Sequence, residues 1–326
     1  MPGRVPLYND APSRARRVPN GNAGLWYDKF GSLWKADWSG FESETAKLDW
    51  IKHIANVGNP ASPQRVGEQG QIEEHARRTE ELVKSRGGRS FRLTTVWRFV
   101  SGMGRAHPVG NGFAWHHTLG IPYLAGSGLK GLARTYARDW HHADGIERIF
   151  GPATARTAGA GSVIFLDAPP IEPVALDADV MTPHYADWYQ DRKTPGDWQS
   201  PKPIPFLTVA PGQVFLFALL PRGNAQQDVL DCGTAAAFLR EALDVLGAGA
   251  KTAVGYGQFS EPQPRPEARQ RAVPHSNVNA TSWLGRTVFV YDEPARVLRE
   301  RGDNLVVRFE SDGKEEEVPR REARLK

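Results

Sequence analysis

An α+β fold with an appended all-β module follows from three features of this sequence. Amphipathic helices alternate with short apolar strands up to about residue 260; a polar, proline-rich stretch interrupts the chain there; and the remainder alternates apolar and polar residues at a period of two. Hydrophobic residues make up 40% of the 326, enough for a buried core, while Gly 33 and Pro 25 demand many turns. At about 150 residues per domain the length suggests two domains.

In order, residues 1–24 carry arginines and prolines with little that is bulky, which predicts a disordered basic tail. Glu42–Val57 places Leu48, Ile51, Ile54 and Ala55 at helical spacing, and Glu68–Arg86 does the same with Ile72, Ala76, Thr79, Leu82 and Val83, stopped by Gly87-Gly88. The period then changes. Phe91, Leu93, Thr95, Trp97 and Phe99 alternate with Arg92, Thr94, Val96, Arg98 and Val100, which predicts a half-buried strand with two arginines on its other face. A helix from Leu129 to about His142, a strand at Ser162–Asp167, a more buried strand at Gln213–Leu220, a helix at Asp231–Leu246 and a strand at Ala253–Ser260 complete a β-α-β, insertion, β-α-β order. That order is the signature of a ferredoxin-like sheet with helices on one face. The insertion, 168–211, holds Tyr185, Trp188, Tyr189 and Trp198 and is too aromatic for a plain turn. Residues 261–280 read as a linker. Residues 281–326 read as a small β-barrel-like module, with strands at Thr287–Tyr291 and Leu305–Phe309 and a hairpin turn at Asp312-Gly313.

Composition excludes several classes. The longest apolar run, Val214 to Leu220, is far below the roughly 20 residues of a membrane span, and the first residues lack a signal-peptide core. A single cysteine, Cys232, excludes an internal disulfide framework and a cysteine-based zinc cluster. A soluble, cytoplasmic chain is expected. Net charge is +4, which permits a polyanionic partner without requiring one.

Two glycine-rich segments carry chemistry. Gly126-Ser127-Gly128-Leu129-Lys130-Gly131 matches the dinucleotide pattern G-x-G-x-x-G but sits in mid-chain, follows Pro122, and opens no run of parallel strands. Its physical logic stands without a cofactor: backbone N–H groups at a helix N-terminus favour an anion, with Ser127, Lys130 and Arg134 beside them. A tightly packed helix entrance with a solvent-facing lysine explains the spacing equally well. The second segment holds Gly249, Lys251, Thr252, Gly255 and Gly257. It is not a Walker A loop, because Ala250 stands where glycine is required. An open loop that approaches a backbone and a helix cap followed by a glycine-bent strand are the two readings. The histidine pairs His116-His117 and His141-His142 show no ligand spacing with Asp139, Asp144 or Glu147, so neither a metal nor another cofactor is expected.

Several long stretches in order, Leu93–Gly104, Gly112–Arg134, Asp179–Tyr189, Pro203–Phe217 and Gly247–Phe259, resemble the RAMP superfamily of CRISPR-associated proteins. Within it the resemblance is to the sixth subunits of type III-B (Cmr) RNA-targeting effector complexes, over about Leu25–Ser260. It implies a ferredoxin-like (RRM-like) RAMP domain with long insertions, binding of CRISPR guide RNA and target RNA, and assembly with other RAMP subunits and a small helical subunit. It further implies a non-catalytic role that caps the filament near the guide 3′ end. The RNA path it implies uses Ser127, Gly128, Lys130, Arg134, Gly249, Lys251, Thr252, Gly255 and Gly257. On this view single-stranded RNA follows a sheet face, with Arg92 or Arg98 on phosphates. Tyr185, Trp188, Tyr189 and Trp198 would wedge between nucleotides or grip a neighbouring subunit. A stand-alone, metal-independent CRISPR RNA-processing ribonuclease and a protein-only scaffold remain as alternatives, and residues 281–326 lie beyond the resemblance.

Overall fold

The computed structural model describes residues 21–31, 34–55, 65–142, 144–152, 159–184, 188, 194, 196, 203–262, 283, 287–291, 293–301, 304–319 and 322–325. It divides into two compact units, Met1–Gln263 and Pro264–Lys326. In the first, helices α1 (Ala23–Lys29) and α2 (Glu44–Ala55) precede strand β1 (Arg65–Val66), helix α3 (Gln69–Ser85) and strand β2 (Arg89–Thr95). Next come β3 (Trp115–His116), β4 (Ile121–Pro122), α4 (Gly126–Asp139), α5 (Ile146–Phe150) and β5 (Val163–Phe165). The unit ends with β6 (Val174–Met181), β7 (Ile204–Val209), β8 (Val214–Pro221), α6 (Gln226–Val245) and β9 (Phe259–Ser260). Helix α1 starts inside the stretch read as tail, because the Asn22 side chain accepts from Leu25 N–H and donates to the His117 carbonyl, capping the helix and tying it down.

The central sheet is antiparallel, in the order β5-β8-β2-β9. Residues of one parity, Phe91, Leu93, Phe215, Phe217 and Leu219, join Phe259 and bury against Cys232, Ala235 and Leu239 of α6 and against Leu129 and Ala133 of α4. Ala218 and Leu220 point the opposite way and pack on Val83 of α3. Strand β8 is therefore apolar along its length because helices cover both its faces. This corrects the expectation of helices on one face only.

The insertion is not a single excursion. Its ends pair as the antiparallel hairpin β6/β7, which with β1 makes a second sheet backed by Trp50, Ile51 and Ile54 of α2. Buried Gln213 joins the two sheets: its side chain accepts from Ala175 N–H and Arg65 and donates to the Pro211 carbonyl, and its N–H bonds Thr95 Oγ1.

Two predicted strands are shorter than their periodicity suggests. β2 ends at Thr95, after which Trp97 turns out to solvent (47% exposed) and Phe99 pairs with Val209 of the second sheet. Only Phe259-Ser260 of the final strand is paired. Thr252–Val254 is one 3-10 turn flanked by left-handed residues, Lys251 at φ 62° and Gly255 at 88°, which no strand accommodates.

The second unit is a five-stranded antiparallel sheet of β10 (Thr287–Val290), β11 (Glu293–Arg301), β12 (Asn304–Phe309), β13 (Glu315–Pro319) and β14 (Ala323–Leu325), ordered β13-β12-β11-β10-β14. Val288, Val290, Ala295, Val297, Leu305 and Val307 alternate inward to form its core. Gly313, at φ 74°, closes the β12/β13 turn where the sequence placed it. The predicted tail lies outside the described residues apart from 21–24, and the linker apart from 261–262.

Candidate nucleic-acid interface

Helix α4 starts at Gly126, ahead of the predicted Leu129. Leu124 pairs with Ala168, which brings Asp167 to the helix N-terminus, where its Oδ1 accepts from Gly126 N–H at 2.7 Å. Gly128 and Leu129 donate to the Ala125 carbonyl. The anion position read from the sequence is thus partly filled by the chain's own carboxylate. Glycine is required at 126, where a Cβ would overlap the Phe165 carbonyl, whereas a Cβ at Gly128 or Gly131 would meet nothing within 4 Å. Ser127 is exposed, and Lys130 has no ion-pair partner among the described residues. One turn further on, Arg134 Nη1 donates to the Pro152 carbonyl at 3.4 Å.

The glycine-rich loop folds tightly on itself. Ala248 N–H bonds the Gly257 carbonyl at 2.8 Å, Gly257 N–H bonds the Arg98 carbonyl at 2.9 Å, and Ala250 N–H bonds the Val100 carbonyl at 2.8 Å. A Cβ at Gly249 would overlap the Val100 carbonyl, and one at Gly257 the Ala248 carbonyl, so internal packing accounts for both glycines. Gly255 faces open space, and only its positive φ requires glycine. Lys251 Nζ lies 5.4 Å from the Phe206 ring centre and 5.8 Å from that of Tyr256. Thr252 opens the 3-10 turn beside it.

The two segments meet through one stretch of chain. Arg98 and Val100 receive the glycine-rich loop, and Ser101 Oγ donates to the Tyr123 carbonyl at 2.9 Å, three residues before α4 begins. The glycine-rich loop and the approach to α4 are therefore both tied to residues 98–101, which the spacing alone did not show.

The two arginines fare differently from expectation. Arg92 points toward α3 and pairs with Glu80 at 2.7 Å, on the face that α3 covers. Arg98 Nε donates to Asp177 Oδ2 at 2.8 Å, and its Nη1 lies 3.6 Å from Asp179. The face of the sheet on which Arg92 sits is therefore covered by α3. Asp177 and Asp179 were missed, although their spacing of two on a strand places both carboxylates on one face. Tyr256 also donates to Asp179; burial, then that bond, pushes its phenol up to about 12 and keeps it a donor at neutral pH. Trp188 is exposed, while Tyr185, Tyr189 and Trp198 lie outside the described residues. Among the described residues no three His, Cys, Asp or Glu side chains converge as a metal site, and no helix is long and apolar enough to cross a membrane.

This fold, with its glycine-rich helix entrance and late glycine loop, is accompanied by a match to the RAMP superfamily over residues 67–260, and the chain belongs to that superfamily. Within it the chain is similar to the CRISPR system Cmr subunit Cmr6 of Pyrococcus furiosus, at 39% identity over 127 residues, 36% of this chain and 35% of that protein. It is also similar to Cmr6 of Saccharolobus solfataricus, at 29% identity over 174 residues, 52% of this chain and 56% of that protein. The chain thus matches about a third and about half of the length of these two relatives. A chain in the cryo-EM structure of the type III-B Cmr-beta bound to cognate target RNA shares the fold, with a TM-score of 0.52 at 23% identity, covering 67% of this chain and 71% of that one.

Proposed function

We propose that this chain is a guide-RNA-binding subunit of a type III-B CRISPR ribonucleoprotein, a Cmr6-like component that caps the filament near the guide 3′ end and helps hold guide and target RNA. Its central domain is read as ferredoxin-like on its β5-β8-β2-β9 order, with α4 and α6 as the two crossovers. The observation that carries the function is that the α4 entrance and the glycine loop are both tied to residues 98–101, and we read them as bordering one strip. It presents two cations without carboxylate partners among the described residues, Lys130 and Lys251, beside exposed Ser127 and the open backbone at Gly128. Such a strip suits a phosphodiester backbone read without regard to sequence, so binding should be salt-sensitive. The chain's role is non-catalytic: it positions RNA alongside other RAMP subunits and the small helical subunit, in the cytoplasm.

The test is affinity purification of the tagged chain from its native cells, with sequencing of bound RNA, for the wild type and for Lys130→Ala. Small RNAs sharing one repeat-derived segment, depleted in the variant at an unchanged melting temperature, are expected. Equal RNA content in a variant of equal stability would overturn the reading.

A further inference from the structure

A cleft of 470 Å³ is lined by Asp28, Lys29, Trp34, Arg105, His107 and Phe113, among others. That volume falls within the roughly 300–1,000 Å³ of small-molecule sites. The cleft is built rather than incidental. The loop from Ser101 to Ala114 is closed by Ala114 N–H on the Ser101 carbonyl at 2.9 Å and tightened by Arg105 N–H on the Gly102 carbonyl at 3.0 Å. Gly112 lets the loop close, since a Cβ there would strike the backbone and side chain of Arg105. His107 stacks on Tyr27 of α1, with ring centres 4.4 Å apart and planes 6° apart, joining the loop to the helix that carries Asp28 and Lys29.

The polar groups are arranged for a ligand. His107 is only 7% exposed, and its Nδ1 accepts from Val109 N–H at 3.3 Å, so the neutral ring carries its proton on Nε2. That Nε2 has no hydrogen-bond partner and sits 3.7 Å from Asp28 Oδ1; Trp34 Nε1 is also buried without a partner. Lys29 and Arg105 are exposed and have no ion-pair partner among the described residues. The cleft thus offers an aromatic wall, Trp34 backed by Phe41 and Trp38, a carboxylate acceptor beside an imidazole, and two rim cations that Asp28 offsets only through space, without an ion pair.

We infer that this cleft is a mononucleotide pocket, taking one unstacked nucleobase against Trp34 and the phosphate attached to it at Lys29 and Arg105. A flat ring meets an aromatic wall regardless of base identity, two cations match one phosphate, and Asp28 accepts from a ring N–H or an exocyclic amine. That the cleft takes a nucleotide stands on its own geometry; only the idea that an RNA strand supplies it rests on the function proposed above.

The experiment titrates the purified full-length chain with each nucleoside 5′-monophosphate, the matching nucleosides, inorganic phosphate and a short single-stranded RNA carrying one 2-aminopurine. Calorimetry and probe fluorescence report binding. At least one monophosphate should bind, and Arg105→Ala and Lys29→Ala should each weaken it by about tenfold while leaving nucleoside affinity unchanged. Both side chains are exposed, so melting temperatures should hold. If the source is a strand, the RNA probe should respond in the wild type and more weakly in both Arg105→Ala and Lys130→Ala. Inorganic phosphate competing as well as the monophosphate, with no nucleoside binding, would reduce the cleft to an anion spot and overturn the inference. So would binding of neither monophosphate nor probe. RNA held by the wild type and by Arg105→Ala alike, but lost from Lys130→Ala, would sink the pocket and leave the strip intact. The reverse pattern would sink the strip and leave the pocket.

Discussion

Arg98 donates to Asp177 at 2.8 Å, pinning the chain that leaves β2 to strand β6, in sequence 79 residues away. The pair is about a quarter exposed on both sides, and the same guanidinium lies 3.6 Å from Asp179. Removing it strands two carboxylates beside the glycine loop. Arg98→Ala should cost about 1–2 kcal/mol in urea unfolding. Arg98→Lys should recover less than half of that, because a single ammonium cannot reproduce the two-armed contact. Full recovery by lysine would show that charge alone matters here.

Lys251 holds a left-handed conformation, φ 62°, that costs a non-glycine residue about 1 kcal/mol. Lys251→Gly removes the cation and relieves that cost, set against its lost contacts with the Phe206 and Tyr256 rings, and should change stability by less than about 1 kcal/mol. RNA retention should fall, and the salt dependence of RNA binding should become shallower by about one phosphate contact. A variant that keeps both retention and slope would remove Lys251 from the interface.

The glycines divide into two kinds that mutation should separate. Gly257→Ala forces a Cβ into the Ala248 carbonyl at a positive φ and should destabilise by about 2 kcal/mol or more. Gly131→Ala, inside α4 with open space around it, should stabilise by about 0.5–1 kcal/mol. Gly128→Ala should fold normally and yet weaken RNA binding, because the added methyl stands where a backbone would approach. Thermal melts with filter-binding assays read both quantities.

Burial pushes the His107 imidazole from 6.5 down to about 4. Between those values the unfolded chain holds a proton that the folded chain does not, so stability falls as pH falls. The contribution is whole above about pH 6.5 and is lost by about pH 4, roughly 3 kcal/mol in all. Asp28, facing His107, is held above its ordinary range by burial and acts in the opposite sense near the acid end. His116, also lowered by burial, acts in the same sense as His107. Urea midpoints for wild type and His107→Gln should converge as pH drops from 7 to 4.5. Parallel curves would assign the slope to other groups.

Much of this was legible in the sequence. The helices of residues 44–55 and 69–85, the buried run of β8, the long helix α6 and the Asp312-Gly313 turn all rest on local periodicity and turn chemistry, which the sequence carries directly. The lysines of the strip were legible too, as cations among glycines. The truncation of β2 was not. Its alternation continues to Phe99, but beyond Thr95 the chain turns to the distant hairpin, where Arg98 bonds Asp177 and Phe99 pairs with Val209, and Trp97 is left exposed.

By itself the sequence determined which segments could be helix or strand, where the two units divide into different patterns, and a resemblance to the RAMP superfamily, because each depends on residues near one another in the chain or on their order. Tertiary structure alone decided that α3 covers the sheet face on which Arg92 points, that Asp167 fills part of the α4 N-terminus, that the glycine loop is tied to residues 98–100, and that Asp28, Arg105 and His107 share a cleft. Those are contacts between groups tens of residues or more apart, and no period or spacing along a chain encodes which distant side chain will neutralise, cover or leave open a given charge.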